Sequence, residues 1–374
     1  MPKSKSKKIW LYAFYIALTV AILVFVLGMN DIGAIGQALK STNLTFVLLA
    51  ILLLVVYFLL YPIPLSLLAR AKKLEVKSTD VYLIGMTEHF FNGITPFATG
   101  GQPFQAYALA KKKVKVADST GLLIMNFVIF MIVTNTFALC SLFYYNEFIS
   151  STGMGVVAII GFSMNFLVLI STIAVGTSKT VKKLIVKLMI WIAKIKFLKK
   201  LLEPRIKDFE TYADNTQSAF KELWKYKGTC LTCFIIKAIT MFIYYAITYF
   251  VIKALNIEIT LDKLFFVICG TAFAITMVVF LPTPGSSGGI ELAFSSIFIA
   301  LGMPTTASYT GMLIWRLITY YLTIALSFLA YVIFEFKYRR SLKNEQANDE
   351  ISPDLRQGSD IERKTDQKTD EKAE

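Results

Sequence analysis

The chain has 374 residues, 56% of them hydrophobic and only 17% charged, with a formal net charge of +14 and a single histidine. A soluble chain is about 45–50% apolar with about a quarter charged, so this composition excludes a string of soluble domains and predicts a polytopic membrane protein. One histidine, and no glycine-rich nucleotide loop ending in Lys-Ser/Thr, leave little from which to build hydrolase or kinase chemistry.

In chain order, Lys3, Lys5, Lys7 and Lys8 precede an uncharged run from Ile9 to Asn30. The run is too long for a signal-peptide core and lacks a small-x-small cleavage site, so Ile9–Val26 is expected to be an uncleaved first span. Five further full-length spans are predicted at Leu44–Leu68, Gly121–Tyr145, Met154–Val175, Gly228–Ile252 and Thr305–Phe336. The basic segments set their direction. The N-terminus, Arg70–Lys77, Lys111–Lys115, Lys179–Lys227 and Lys337–Arg340 belong on the cytoplasmic side, while 28–43, 146–153 and 253–263 carry few positives and face outward. Both termini are thus expected in the cytoplasm of a multi-pass cell-membrane protein. Basic residues in short loops between apolar spans suit anionic lipid head groups better than nucleic acid.

Lys179–Glu203 interrupts apolar residues with lysine every few positions. This suits a helix lying in the cytoplasmic interface, or else a solvated connector that only sets topology. The tail Ser341–Glu374 holds six basic against ten acidic residues, leaving it at −4 and the rest of the chain at +18, and is expected to be disordered. Cys230 and Cys233 form a lone CxxC at the start of an apolar span. Without a second pair they read as small apolar helix residues, not as a metal or redox site.

Two segments fit no full crossing. Val81–Ala110 lies between two basic loops that both belong inside, and its 30 residues fall short of the roughly 40 needed for two helical crossings. Leu264–Gly302 must begin and end outside, yet its second arm, Ile290–Gly302, has only 13 residues. Both are therefore expected to be re-entrant helical hairpins, entering from opposite faces. Their tips share a pattern: Thr95-Pro96-Phe97-Ala98-Thr99-Gly100-Gly101 matches Thr283-Pro284-Gly285-Ser286-Ser287-Gly288-Gly289 as T-P-x-x-[S/T]-G-G, offset by 188 residues. Proline ends the incoming helix and glycine permits the reversal. Paired, interrupted hydrophobic segments in corresponding halves point to a transporter built as an inverted repeat, with its site near the midplane. The expected fold is an all-α polytopic membrane domain over residues 1–340. Its halves, 9–178 and 228–340, are joined by the basic linker 179–227, and the tail 341–374 follows.

Few ionisable residues lie inside these segments. Glu88 and His89 are the only ones between Asp80 and Lys111. Burial disfavours the charged form of each, which brings proton exchange near neutral pH within reach, so they are candidates for proton coupling or head-group contact. A structural pairing that only holds the bundle together is the other reading. Arg316, twelve residues into the last span, is the only charge between Glu291 and Glu335. It could grip a phosphate, or it could brace the second hairpin by pairing with Glu291. Lys237, nine residues inside its span, either contacts substrate or snorkels to the cytoplasmic side. The backbone N–H groups of Gly100, Gly101, Gly288 and Gly289 form a candidate anion site, with Gln102 and Gln105 adding neutral hydrogen bonds. Tight helix packing is the other use of those glycines. Nothing calls for a metal or cofactor.

G-G-Q-P-F-Q-A-Y-A-L-A-K-K-K (Gly100–Lys113), L-P-T-P-G-S-S-G-G-I-E (Leu281–Glu291) and the Trp315-Arg316 pair resemble the flippase-like transmembrane region of lysylphosphatidylglycerol synthases, the multiple-peptide-resistance type. The resemblance covers roughly residues 9–340. It implies movement of aminoacylated phosphatidylglycerol, or a related lipid, between leaflets, and with it a part in antimicrobial peptide resistance. In full synthases a soluble domain of roughly 300 further residues transfers lysine from charged tRNA to the lipid. Only a short charged tail follows Phe336, so the transferase half is expected to be absent. Many relatives carry Glu and Arg where this chain has Gln102 and Gln105, which leaves head-group preference open.

The leading expectation is therefore a lipid transporter whose partner is membrane phospholipid. In it Glu291 and Arg316 bind phosphate or amine, and Glu88 with His89 supports coupling. The alternatives are a phosphatidylglycerol lysyltransferase, or a membrane partner of a separately encoded lipid synthase.

Overall fold

The computed structural model describes residues 40–151, 155–194, 196–300 and 302–344, and the described residues form an all-helical bundle. The predicted first span Ile9–Val26, and all of the predicted tail beyond residue 344, lie outside the described residues. Among the described residues, six helices are long and apolar enough to cross a membrane: Leu44–Ala71, Val116–Tyr145, Gly155–Thr177, Lys227–Ala254, Leu261–Val278 and Thr305–Asn344. Five of them overlie the predicted spans. The sixth, Leu261–Val278, is the first arm of the second predicted hairpin.

The first of these helices is broken. Helix α1 (Leu44–Leu60) starts at Asn43, whose Oδ1 accepts from the Thr45 N–H at 3.1 Å and so satisfies one of the free donors of the first turn. Pro62 and Pro64 cannot donate to the helix ladder, and the chain turns there before α2 (Ile63–Ala71). Next come α3 (Ser78–Met86), α4 (Glu88–Gly93), a 3-10 turn at Pro96–Ala98 and α5 (Gly101–Lys111). At 1.5 Å per residue, α5 rises only about 16 Å, about half the thickness of a bilayer core.

Helices α6 (Val116–Ser151) and α7 (Gly155–Thr177) follow, then the linker helices α8 (Lys179–Ala193) and α9 (Lys196–Lys225). The linker helix expected to reach Glu203 thus ends at Ala193, and a second, longer helix leads into α10 (Lys227–Ala254). The second helix–turn–helix comprises α11 (Leu264–Val278), a 3-10 turn at Pro284–Ser286 and α12 (Gly289–Ala300). Last comes α13 (Thr305–Arg316), which runs through a π-helical stretch at Leu317–Leu322 and on to Asn344. The helix therefore continues four residues into the segment expected to be disordered tail.

Helix α10 is the hub, packed against α1, α2, α6, α11 and α13. One large apolar core surrounds it, including Tyr245, Phe273, Phe294, Phe298 and Trp315. A smaller core joins α2, α3, α5 and α6 to Phe334 of the last helix. The two proline-containing turns, 188 residues apart in sequence, pack directly against each other.

Candidate functional site

The two turns have the same backbone. In the first, Phe97 and Ala98 have φ of 55° and 50°; in the second, Gly285 and Ser286, at the matching places in the motif, have φ of 58° and 52°. Two successive left-handed residues are costly for side chains with a Cβ, so their recurrence at matched positions is a specific likeness. At Gly285 glycine is required twice over: φ is positive, and an added Cβ would lie 2.1 Å from the Tyr320 ring.

The second turn is braced by charge. Arg316 Nε meets Glu291 Oε1 at 3.0 Å, both side chains being almost fully buried. Its Nη2 donates to the Gly285 carbonyl and to Ser287 Oγ, each at 2.8 Å, and the guanidinium lies 4.0 Å from the centre of the Tyr320 ring. The other Glu291 oxygen accepts from the Gly288 N–H at 2.7 Å. The Tyr320 hydroxyl then reaches across to the end of α4 and donates to the Gly93 carbonyl at 2.9 Å. The pairing of Arg316 with Glu291 anticipated as a brace is thus present.

The first turn is closed by neutral groups. Gly100 N–H donates to Thr95 Oγ1 and Gly101 N–H to Asn92 Oδ1, each at 2.8 Å, while Thr95 Oγ1 donates to the Phe91 carbonyl at 2.7 Å. Of the glycine N–H groups expected to form an anion site, those of Gly100, Gly101 and Gly288 donate to side chains of the chain itself. Gly101 also allows a close approach, because a Cβ there would lie 2.6 Å from the Glu88 side chain. Gly289 admits Leu281 in the same way.

The remaining interior charges gather behind the first turn. Helix α3 breaks at Thr87, and Ser327 of the last helix satisfies the break, accepting from Phe90 N–H at 2.8 Å and donating to the Met86 carbonyl at 2.6 Å. Irregular backbone inside a bundle survives by such re-pairing. The break aims Glu88 and His89 inward. Gln105 Nε2 donates to Glu88 Oε2 at 3.1 Å, and Asn92 and the Tyr61 hydroxyl also adjoin that carboxylate. Gln105, not Gln102, makes this contact; Gln102 stays half-buried at the start of α5. His89 Nε2 lies 3.3 Å from the Tyr57 hydroxyl, and its ring packs against Tyr61 at 4.2 Å and Tyr57 at 5.5 Å between centres.

Lys237 does not snorkel. Its relative exposure is 0%; the ammonium donates to the Tyr61 carbonyl at the α1–α2 break (3.3 Å) and sits 4.0 Å from the centre of the Tyr61 ring. Among the described residues no carboxylate comes within ion-pair distance of it, although Glu88 lies near enough for their charges to interact. Tyr61 thus touches both charges: the buried Lys237 ammonium lies over its ring and the partly buried Glu88 carboxylate adjoins its hydroxyl. Tyr57 packs 4.7 Å from Tyr244, and Tyr244 packs 6.4 Å from Trp315, beside Arg316, so aromatic side chains link the two charge clusters.

Sequence reasoning named the interior charges but not their holders. Asn92, Tyr61, Tyr320 and Ser327 carry no mark in the sequence, and Thr95 is marked only as part of the turn motif. Helical spacing could have found two of them, because Tyr57/Tyr61 and Arg316/Tyr320 are both i, i+4 pairs.

The family described as the lysylphosphatidylglycerol synthase transmembrane region matches residues 11–327. The chain is also similar to a UPF0104 membrane protein of Archaeoglobus fulgidus, 23% identical over 325 residues, covering 83% of this chain and 92% of that one.

Proposed function

The chain belongs to the lysylphosphatidylglycerol synthase transmembrane-region family, and from that premise we propose that it moves aminoacylated phosphatidylglycerol, or a related polar lipid, between the leaflets of the cell membrane. In this reading the two helix–turn–helix units are re-entrant hairpins dipping from opposite faces, related as an inverted repeat, and both termini are cytoplasmic. One observation carries it: turns of matching motif and matching left-handed backbone pack on each other beside Arg316. That residue is twelve positions, or about 18 Å, into the helix that begins at Thr305, which is mid-bilayer depth.

Dragging a charged head group through hydrocarbon costs many kcal/mol, and a polar lining lowers that barrier. The sequence alone favoured Glu291 and Arg316 for head-group contact. We assign that contact instead to Lys237, Glu88 and His89. The Arg316 guanidinium spends its hydrogen bonds on the second turn and Glu291. The Lys237 ammonium, with three donors, makes one long bond to a carbonyl, and Glu88 keeps acceptor capacity. With Tyr61 touching each, the two charges suit a head group that brings both a phosphate and an amine.

A leaflet-resolved lipid assay in proteoliposomes tests this. The wild-type protein should speed lipid exchange over protein-free vesicles; Lys237→Met and Glu88→Gln should each slow it at least tenfold while leaving the unfolding temperature nearly unchanged. Wild-type rates in both variants would remove the head-group assignment. No acceleration by the wild type would remove transport itself, and aminoacyl lipid formed by the purified protein from charged tRNA would point to a lysyltransferase.

A further inference from the structure

Helix α8 has three distinct sides. It starts one residue after the apolar helix α7 ends at Thr177, with Ser178 Oγ capping it by accepting from the Val181 N–H at 3.3 Å, so its first turn lies at the membrane boundary. Val181, Ile185, Met189 and Ile192 are partly covered and Ala193 is buried, marking the side packed on α9; Lys182 on this side pairs with Asp214 of α9 at 2.5 Å. A second side is apolar and bare. Leu184, Leu188 and Trp191, spaced i, i+4, i+7, are 65%, 52% and 64% exposed. A third side carries exposed Lys183, Lys187 and Lys194, and residues 179–194 contain no acidic residue.

We infer that α8 is an anionic-lipid binding surface lying in the cytoplasmic membrane interface. Leu184, Leu188 and Trp191 enter the acyl boundary, and Lys183, Lys187 and Lys194 meet lipid phosphates. Three large apolar side chains in a row are costly to leave in water, in proportion to the area they expose. The neighbouring lysine row selects a negatively charged cover, since lysines close to an anionic leaflet are attracted to its phosphates. An apolar stripe flanked by lysine on a helix that leaves the membrane edge is the arrangement of an interfacial helix. The inference uses only the position and faces of α8 and does not depend on lipid transport.

The test uses the full chain, with its native cysteines replaced, carrying a nitroxide at Leu188→Cys in nanodiscs. One set contains phosphatidylcholine alone and the other a quarter phosphatidylglycerol. With phosphatidylglycerol the label should be at least threefold more accessible to oxygen than to a water-soluble nickel complex. In phosphatidylcholine alone that ratio should fall towards one, and a K183E/K187E/K194E variant should show the low ratio in both. A label equally immersed in both lipids would overturn the role of charge. A label in water in both would overturn membrane contact. A label shielded from both reagents, whatever the lipid, would mean that a protein surface covers the stripe, which also overturns the inference. The comparison of lipids in the unreversed chain stands even if the charge-reversed variant misfolds.

Discussion

The two helix–turn–helix units share a tip motif and backbone but are secured in opposite ways. The second is secured at its tip, where the buried Arg316–Glu291 pair ties down Gly285, Ser287 and Gly288. The first has a neutral tip, closed by Thr95 and Asn92, and is secured at its foot. There Asp80 pairs with Lys112 at 3.0 Å and Lys337 at 2.7 Å, and Lys111 pairs with Glu335 at 2.5 Å. Charge spent on bracing is not available to a ligand. The unit braced at its foot surrounds its interior Glu88 and His89 with neutral partners, Gln105, Asn92 and Tyr61 around the carboxylate and Tyr57 beside the imidazole, whereas the unit braced at its tip has its one interior acid engaged on both oxygens, one of them by a guanidinium.

The strongest way to break this contrast is Arg316→Met. It strands the buried Glu291 carboxylate, and removing one partner of a buried pair costs about 3–5 kcal/mol. Thermal unfolding in detergent should show a large loss for R316M and a much smaller one for the double variant E291Q/R316M, in which no charge is stranded. Equal losses would mean that the arginine acts by packing alone.

A weaker effect is expected at the foot of the first unit, and it depends on pH. Burial pushes the Asp80 carboxyl up, but hydrogen bonds and charge from Lys337 and Lys112 outweigh burial and hold it below the ordinary aspartate range. A depressed folded-state value gives stability that is present above the unfolded value of about 3.9 and lost as pH falls through the folded one. Acidification below about pH 4 should therefore loosen the foot of the first hairpin. Hydrogen exchange of 78–86 would show it, and Asp80→Asn should remove that acid step.

The smallest effect concerns the shared left-handed position. Gly285 meets the requirement without strain, while Phe97 holds φ 55° with a Cβ and a half-exposed ring. Phe97→Gly should raise stability by at most about 1 kcal/mol, the left-handed penalty less the added freedom of the unfolded chain. Gly285→Phe should fail to fold. A loss on Phe97→Gly would show that the exposed ring is used, as a lipid or gate contact.

Much of this was legible in the residues. Asp, Glu, Lys and Arg are so scarce within the apolar runs that span positions follow from charge alone, and Thr-Pro with Gly-Gly marks both turns. The helix break at Thr87 was not legible, because no proline stands there and the nearby Gly85 lies within the preceding helix; Ser327, 240 residues downstream, makes the break tolerable. The end of α8 at Ala193 was equally hidden, since lysine and apolar residues alternate without pause through residue 203.

Composition and periodicity by themselves determined that this chain builds a helical membrane bundle in which two proline-containing turns interrupt the helices. Hydrocarbon admits only long uncharged helices, and proline and glycine can interrupt them at few places. Tertiary structure alone decided which buried charge has a partner. Glu291 and Glu88 look equivalent in sequence, but one finds a guanidinium at 3.0 Å and the other only neutral donors, Gln105 at 3.1 Å among them. Whether a buried charge braces the fold or awaits a ligand depends on a few ångströms between distant segments, and no local pattern encodes that distance.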